Sequence, residues 1–181
     1  MKPAVYQIAL LLVGGLVCGG AMLAGGEARA QQEAIIGTVS GEAIQKVGFR
    51  AMIQKQAIMY DLAGYARNVP DGTVSISLQG DKNRIDKALA AIRVGSKKSS
   101  RNNVVTALSA PLDSTLKTFT VYGWTSTSRN ITNPYDLVFQ LRPANDEIAK
   151  KEAAAVWNAI AESTLKGDDL TKFKNHLGDE D

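Results

Sequence analysis

Cysteine and histidine are almost missing from this chain. Its 181 residues hold one of each: Cys18 in an apolar run near the start, and His176 in the last few residues. A single cysteine rules out an internal disulfide, so a hydrophobic core must carry the fold. Gly15-Leu16-Val17 ahead of Cys18 makes a poor lipidation signal, and the thiol reads as an apolar filler. With the only histidine near one end, Cys–His and Ser–His nucleophiles and histidine-rich metal sites are all but excluded. A large charge excess is missing too. The formal net charge is +3 at pH 7, too small to argue for a nucleic-acid partner or a membrane surface. Any chemistry therefore falls to Arg, Lys, Asn, carboxylates and backbone groups. Aromatic residues make up 6% of the chain, so Trp124 and Trp157 read as packing residues rather than ligand contacts.

The chain opens with Lys2 and an uncharged stretch at residues 8–23 that is rich in Leu, Val, Ala and Gly. Glu27 follows, and Ala28-Arg29-Ala30 forms the small-x-small pattern that a signal peptidase cleaves. Residues 1–30 are accordingly expected to be a signal peptide, and the working chain to be periplasmic or secreted. Losing Lys2, Arg29 and Glu27 leaves a formal charge of +2. The rival reading is an uncleaved anchor, because the apolar run approaches the roughly 18 residues that span a bilayer. Gly14, Gly15, Gly19 and Gly20 make it a poor permanent membrane helix, so no stable membrane insertion is expected after cleavage.

Beyond that segment the pattern alternates. Residues 34–39 (AIIGTV) are short, apolar and β-branched, as a strand requires. Residues 48–63 place Phe49, Met52, Ile53, Met59 and Leu62 at helical spacing, with Gly64 as the stop. Asn68-Val69-Pro70-Asp71-Gly72 is a turn signal, and Val74-Ser75-Ile76-Ser77-Leu78 alternates with period two, so residues 65–78 read as a hairpin. Asp81 caps a second helix, residues 81–94, whose inner stripe is Ile85, Leu89 and Ile92 and which Gly95 closes. Residues 96–103 (SKKSSRNN) read as a solvated loop, with an anion-binding patch as the alternative. Residues 104–108, 118–124 and 136–141 are further strands. A last helix is expected from a cap at Asn145, past Asp146 and Glu147, with Ala153, Val156, Trp157 and Ile160 on one face. Gly167 breaks it, and residues 170–177 add a further turn or two.

This order describes an α+β chain: a ferredoxin-like βαββαβ sandwich with a C-terminal β/α extension. The sheet is expected to be antiparallel, of four or five strands, with both helices on one face. Phe49, Met52, Ile53, Met59, Leu62, Ile85, Leu89 and Ile92 should lie between helices and sheet. Residues 31–125 form the expected domain and residues 126–181 the extension with its helix. Such a fold hosts many activities and decides none of them.

The informative segment joins the first strand to the first helix: Gln45-Lys46-Val47-Gly48-Phe49-Arg50. A loop entering a helix presents unpaired N–H groups and the positive end of the dipole to an anion. The guanidinium of Arg50 adds a fork that fits phosphate oxygens. Downstream stands Asn68, within Gly64-Tyr65-Ala66-Arg67-Asn68-Val69-Pro70-Asp71-Gly72-Thr73-Val74. The two motifs, Q-x-V-G-F-R and G-x-x-x-N-x-x-D-G-x-V, resemble in order and spacing those of the acylphosphatase family. Leu62 and Gly64 fit the family's L-x-G, and Gly80 its glycine after the third strand. The likeness is clear over residues 35–95 and reaches toward Trp124.

That resemblance implies hydrolysis of the carboxyl–phosphate bond of acyl phosphates, with no metal, no cofactor and no covalent intermediate. It implies that Arg50 binds the phosphoryl group together with the loop formed by Gln45, Lys46, Val47, Gly48 and Phe49, and that Asn68 holds the attacking water. The implied partner is a small phosphorylated substrate, and the implied state a monomer. The sequence departs from the family pattern in three places. Lys46 stands where the family has glycine, so it either strains the loop or adds a cation beside the phosphate. Glu42-Ala43-Ile44 makes the approach to Gln45 one residue longer, bringing the Glu42 carboxylate near the loop. Tyr65 replaces a tryptophan. The alternative reading is an exported, non-catalytic domain of the same shape that binds an anion or a protein.

Overall fold

The computed structural model describes residues 31–124, 135–142 and 148–171. The expected signal peptide (residues 1–30), the turn at Asn133-Pro134, Asn145 to Glu147 and His176 all lie outside the described residues, and the last helix starts later than expected, at Lys150 with Ala149 rather than Asn145 in the cap position. The elements run β1 (Gln32–Ser40), α1 (Phe49–Tyr60), β2 (Ala63–Asn68), β3 (Val74–Asp81), α2 (Lys82–Val94), β4 (Val104–Ser109), β5 (Thr118–Trp124), β6 (Tyr135–Gln140) and α3 (Lys150–Thr164). Among the described residues no helix is long and apolar enough to cross a membrane.

The strands form one sheet in the order β4-β1-β3-β2-β5-β6. The first four give the ferredoxin-like pattern. The sheet is nevertheless wider than the four or five strands expected, and it is not wholly antiparallel, because β5 runs parallel to β2. The cause lies in the segment between β4 and β5. Ala110 N donates to Ala34 O, and Asp113 and Gln79 exchange two 2.7 Å bonds, Asp113 N to Gln79 Oε1 and Gln79 Nε2 to Asp113 O. The chain is thus led across the end of β1 and β3, and β5 enters the sheet at the end where β2 begins. β6 then returns antiparallel along β5.

Every residue expected between helices and sheet is buried except Met59, which is half-buried at the margin of the core. Asp81 caps α2 as expected, its Oδ1 accepting from Arg84 N at 3.1 Å. α3 packs against α1 and β6 through Ala153, Trp157 and Ala161. Among the described residues no helix covers the opposite face of the sheet, which exposes Ile36, Leu108, Tyr122 and Val138.

Helix α1 stops at Tyr60, short of the expected residue 63. Asp61 takes left-handed φ 50° and turns its N–H back to Ala57 O and Ile58 O, which ends the helix there. Leu62 stays fully buried and its N–H bonds Ala57 O at 2.9 Å. Gly64 is therefore not the helix stop. It lies inside β2 at φ 136°, where a Cβ would sit 1.9 Å from Ser77 O, so only glycine lets β2 approach β3 this closely. The polar segment at residues 96–103 also differs from a purely solvated loop. Ser99 and Asn103 are buried. Asn103 Nδ2 donates to Ile92 O at 3.1 Å, and Ser100 N to Ala43 O at 2.9 Å, so this segment buttresses the loop ahead of Gln45.

Candidate functional site: an open helix start beside the β2–β3 turn

The connection from β1 to α1 is pinned from within and from the side. Ile44 and Phe49 are buried and anchor its two ends in the core. Between them Gln45 reaches across to the hairpin, Nε2 donating to Val69 O at 2.8 Å and Thr73 O at 2.6 Å. The hairpin turn is itself rigid: Asp71 Oδ1 accepts from Thr73 N at 2.9 Å and Thr73 Oγ1 at 2.6 Å, and these bonds hold the Asp71 carboxyl below its usual range. Gln45 is thus the strut that sets the loop against the end of β2.

Two left-handed residues shape the loop, Lys46 at φ 65° and Gly48 at φ 78°. Glycine adopts that conformation freely, whereas for lysine it costs on the order of 1 kcal/mol. The strain foreseen for a lysine at this position is therefore present, and the loop keeps the left-handed turn despite it. The Lys46 side chain is exposed. Gly48 is the N-cap of α1 and offers no side chain to the first turn, while its carbonyl takes Ala51 N and Met52 N. Among the described residues no acceptor meets the N–H groups of Val47, Gly48, Phe49 or Arg50. Neither does the first turn contain an acidic side chain. The helix start is left open to an anion.

Arg50 lies on that first turn, half-buried. Its Nη1 donates to the carbonyls of Tyr122 and, at 3.1 Å, Gly123 on β5. Burial pulls the guanidinium down to about 10, still protonated at neutral pH. Among the described residues its Nε and Nη2 donors have no acceptor, so half of the fork is available. Asn68 is the last residue of β2 and shares the helix side of the sheet with Ala66, two residues earlier. Its Oδ1 is buried and has no hydrogen-bond partner among the described residues. Such an unmet oxygen costs about 1–3 kcal/mol. The β2–β5 register pairs Ala66 with Val121, so two steps further along Asn68 comes level with Gly123, whose carbonyl holds Arg50. Gln45, the open amides, Arg50 and Asn68 thus converge at one end of β2 and β5.

Three contributors to this end of the molecule were not visible in the motifs. Gln54, fully buried on α1 one turn past Arg50, bonds three other elements. Asp136 and a bulge at Tyr122–Gly123 complete the set. A glycine inside a strand is a bulge signal, and Gly123 carried it. A cavity of about 670 Å³ lies at the other end of the sheet, lined by Asp61, Gly80, Asp81, Arg84, Lys117 and Arg142 among others, and no residue of the Gln45–Arg50 loop or of the Gly64–Val74 motif lines it.

Fold and loop together define a split βαβ sandwich whose first helix begins in a bare, uncapped turn carrying an arginine. The profile of the acylphosphatase family matches residues 35–121. The chain is 42% identical over 61 residues to the acylphosphatase of Chlorobaculum tepidum, a stretch of 34% of this chain and 66% of that relative. It is 38% identical over 61 residues to the acylphosphatase of Thermus thermophilus, covering 34% of this chain and 68% of the relative. The crystal structure of acylphosphatase from Bacillus subtilis aligns with 48% of this chain and 94% of its own, at 26% identity and a TM-score of 0.44. The chain spans about two thirds of the length of the curated relatives it matches. It belongs to the acylphosphatase family.

Proposed function

We propose that the protein hydrolyses the carboxyl–phosphate bond of acyl phosphates without a metal, Arg50 binding the phosphoryl group and Asn68 orienting the water. The amides of residues 47–50 and the open side of the Arg50 fork surround the phosphoryl oxygens, and Gln45 keeps this loop beside β2. Phosphoryl transfer needs mainly position and charge stabilisation, which preorganised N–H groups and a guanidinium supply. A water donating to Asn68 Oδ1 is held for attack on phosphorus. As it attacks, the bond from phosphorus to the carboxyl oxygen breaks and the carboxylate leaves with the electron pair. That anion is stable at neutral pH, so no general acid is required. The proton shed by the water ends on the product phosphate.

The observation that carries this reading is the buried, unpartnered Asn68 Oδ1 at the same sheet end as the open amides. The test is hydrolysis of benzoyl phosphate by the purified protein. Turnover that is unchanged by a chelator and competed by inorganic phosphate is the expected result; inert protein refutes it. The left-handed Lys46 favours a second reading, a phosphate-binding domain that does not turn over, and binding of inorganic phosphate without hydrolysis would select it. We further infer from Lys2, the apolar run and Ala28-Arg29-Ala30 that the protein works outside the cytoplasm. Mass spectrometry of protein from its native host should then find a chain beginning near Gln31.

A further inference from the structure

Beyond the family-matched residues 35–121, β6 and α3 add a layer that is bonded into the site just described. On β5 and β6, Val121 pairs with Leu137 and Trp124 with Tyr135, so Tyr122 and Gly123 together face Asp136 alone. This is a bulge, with Gly123 at φ 59°. The extra residue turns Trp124 into the core, where it is buried beside Val121. A bulge also strips a ladder partner from the residue it adds. The Gly123 N–H finds its acceptor in the side chain of Asp136, Oδ1 at 2.9 Å. The carbonyls of Tyr122 and Gly123, released from regular pairing by the same bulge, are the two that hold Arg50 Nη1.

The other end of this arrangement is Gln54, four residues after Arg50 on α1. Its Nε2 donates to Leu137 O of β6 at 2.7 Å and to Phe119 O of β5 at 3.4 Å, and its Oε1 accepts from Trp157 Nε1 of α3 at 2.7 Å. A fully buried amide bonded on both sides sets the rotation of the helix turn that presents Arg50.

We propose that Asp136 is a positioning residue of the phosphate site: by holding the Tyr122–Gly123 bulge it aims the two carbonyls that fix the Arg50 guanidinium. The β6–α3 layer is on this view a working part of the site rather than an appendage. The inference rests on the reading of Arg50 as the phosphate ligand. Asp136 acts through the bulge and not on the phosphate directly.

The test uses the full chain with Asp136→Ala and Asp136→Asn. The asparagine keeps an Oδ1 acceptor for Gly123 N–H, and the alanine has none. Asp136→Ala is expected to raise KM for benzoyl phosphate and Kd for inorganic phosphate about tenfold, the scale of one lost hydrogen bond to a charged group. kcat should change less than about twofold, since binding shared by substrate and transition state is lost while the water site is kept. Asp136→Asn should restore wild-type values. The guanidinium resonances of Arg50 give a readout independent of activity: sharp in wild type and Asp136→Asn, exchange-broadened in Asp136→Ala. Alanine and wild type alike in phosphate affinity and in Arg50 line width would overturn the proposal. An asparagine variant as impaired as alanine would overturn it too, leaving Asp136 a charge effect. If wild type neither binds phosphate nor turns over, the proposed function falls, and the Arg50 line widths still decide the positioning role.

Discussion

At its last turn α1 is tied down by hydrogen bonds. Asp61 folds its N–H back onto Ala57 O and Ile58 O, its Oδ1 accepts from Arg142 N at 3.0 Å, and Ile148 N meets Met59 O at 2.8 Å. At its first turn the same helix has Gly48 for a cap, no side-chain bond, no acidic residue, and amides with no acceptor among the described residues. Each end has a non-glycine residue in the left-handed region nearby, Asp61 at φ 50° and Lys46 at φ 65°. At the closed end the strained residue accepts a backbone bond and stops the helix, so its cost is offset locally. The strain at Lys46 has no such local return, since its side chain is exposed. The same helix therefore spends its stabilising contacts at one end and leaves donors unmet at the other, the arrangement expected where an anion completes the structure.

Substitutions can break or sharpen this contrast. The largest effect is expected at the open end: Arg50→Ala should remove measurable phosphate binding in calorimetry and lower kcat/KM by about three decades, the charge being the strongest ligand there. Asn68→Ala should leave the phosphate Kd within about twofold and depress kcat by about two to three decades, or roughly 2–4 kcal/mol, because only the position of the water is lost. Steady-state kinetics alongside phosphate titration separates the two. At the closed end the readout should move to stability. Asp61→Ala is expected to cost about 2 kcal/mol in urea unfolding, from the lost acceptor for Arg142 N–H at a residue that stays left-handed, with KM unchanged. An effect on KM as large as that on stability would show that the ends are not independent. The smallest effect belongs to Lys46→Gly. Relief of the left-handed backbone should raise stability by about 1 kcal/mol, and loss of an exposed cation should weaken phosphate about two- to threefold. A gain in phosphate affinity would instead mean that the lysine distorts the loop.

Much of the fold was legible in the residues. Period two at Val74, Ile76 and Leu78, the stripe Ile85–Leu89–Ile92 and the Asp81 cap each follow from a short window, and the structure places them as read. A strained left-handed Lys46 was one of the two readings that a lysine in place of the family's glycine left open, and the backbone takes that conformation. The end of α1 was not, because Leu62 continues the apolar spacing past the point where Asp61 turns the backbone over. Gln54 escaped notice because a polar residue within an apolar stripe gives no hint of its partners. Its three bonds reach residues 65, 83 and 103 positions away.

By itself the sequence determined much that is local: which segments are strand or helix, which faces are apolar, where the β2–β3 turn and the cap of α2 fall, and which loop has bare amides beside an arginine. Those properties depend on spacing, backbone freedom and side-chain chemistry within a few residues. Tertiary structure alone decided that β5 enters parallel to β2, that Tyr122 and Gly123 bulge against Asp136, and that Asn68 Oδ1 comes to lie buried at the end of the sheet where Arg50 is held. Each of these is a pairing between distant segments. Its energy comes from satisfying buried N–H and C=O groups once the core has closed, and no local window contains both partners.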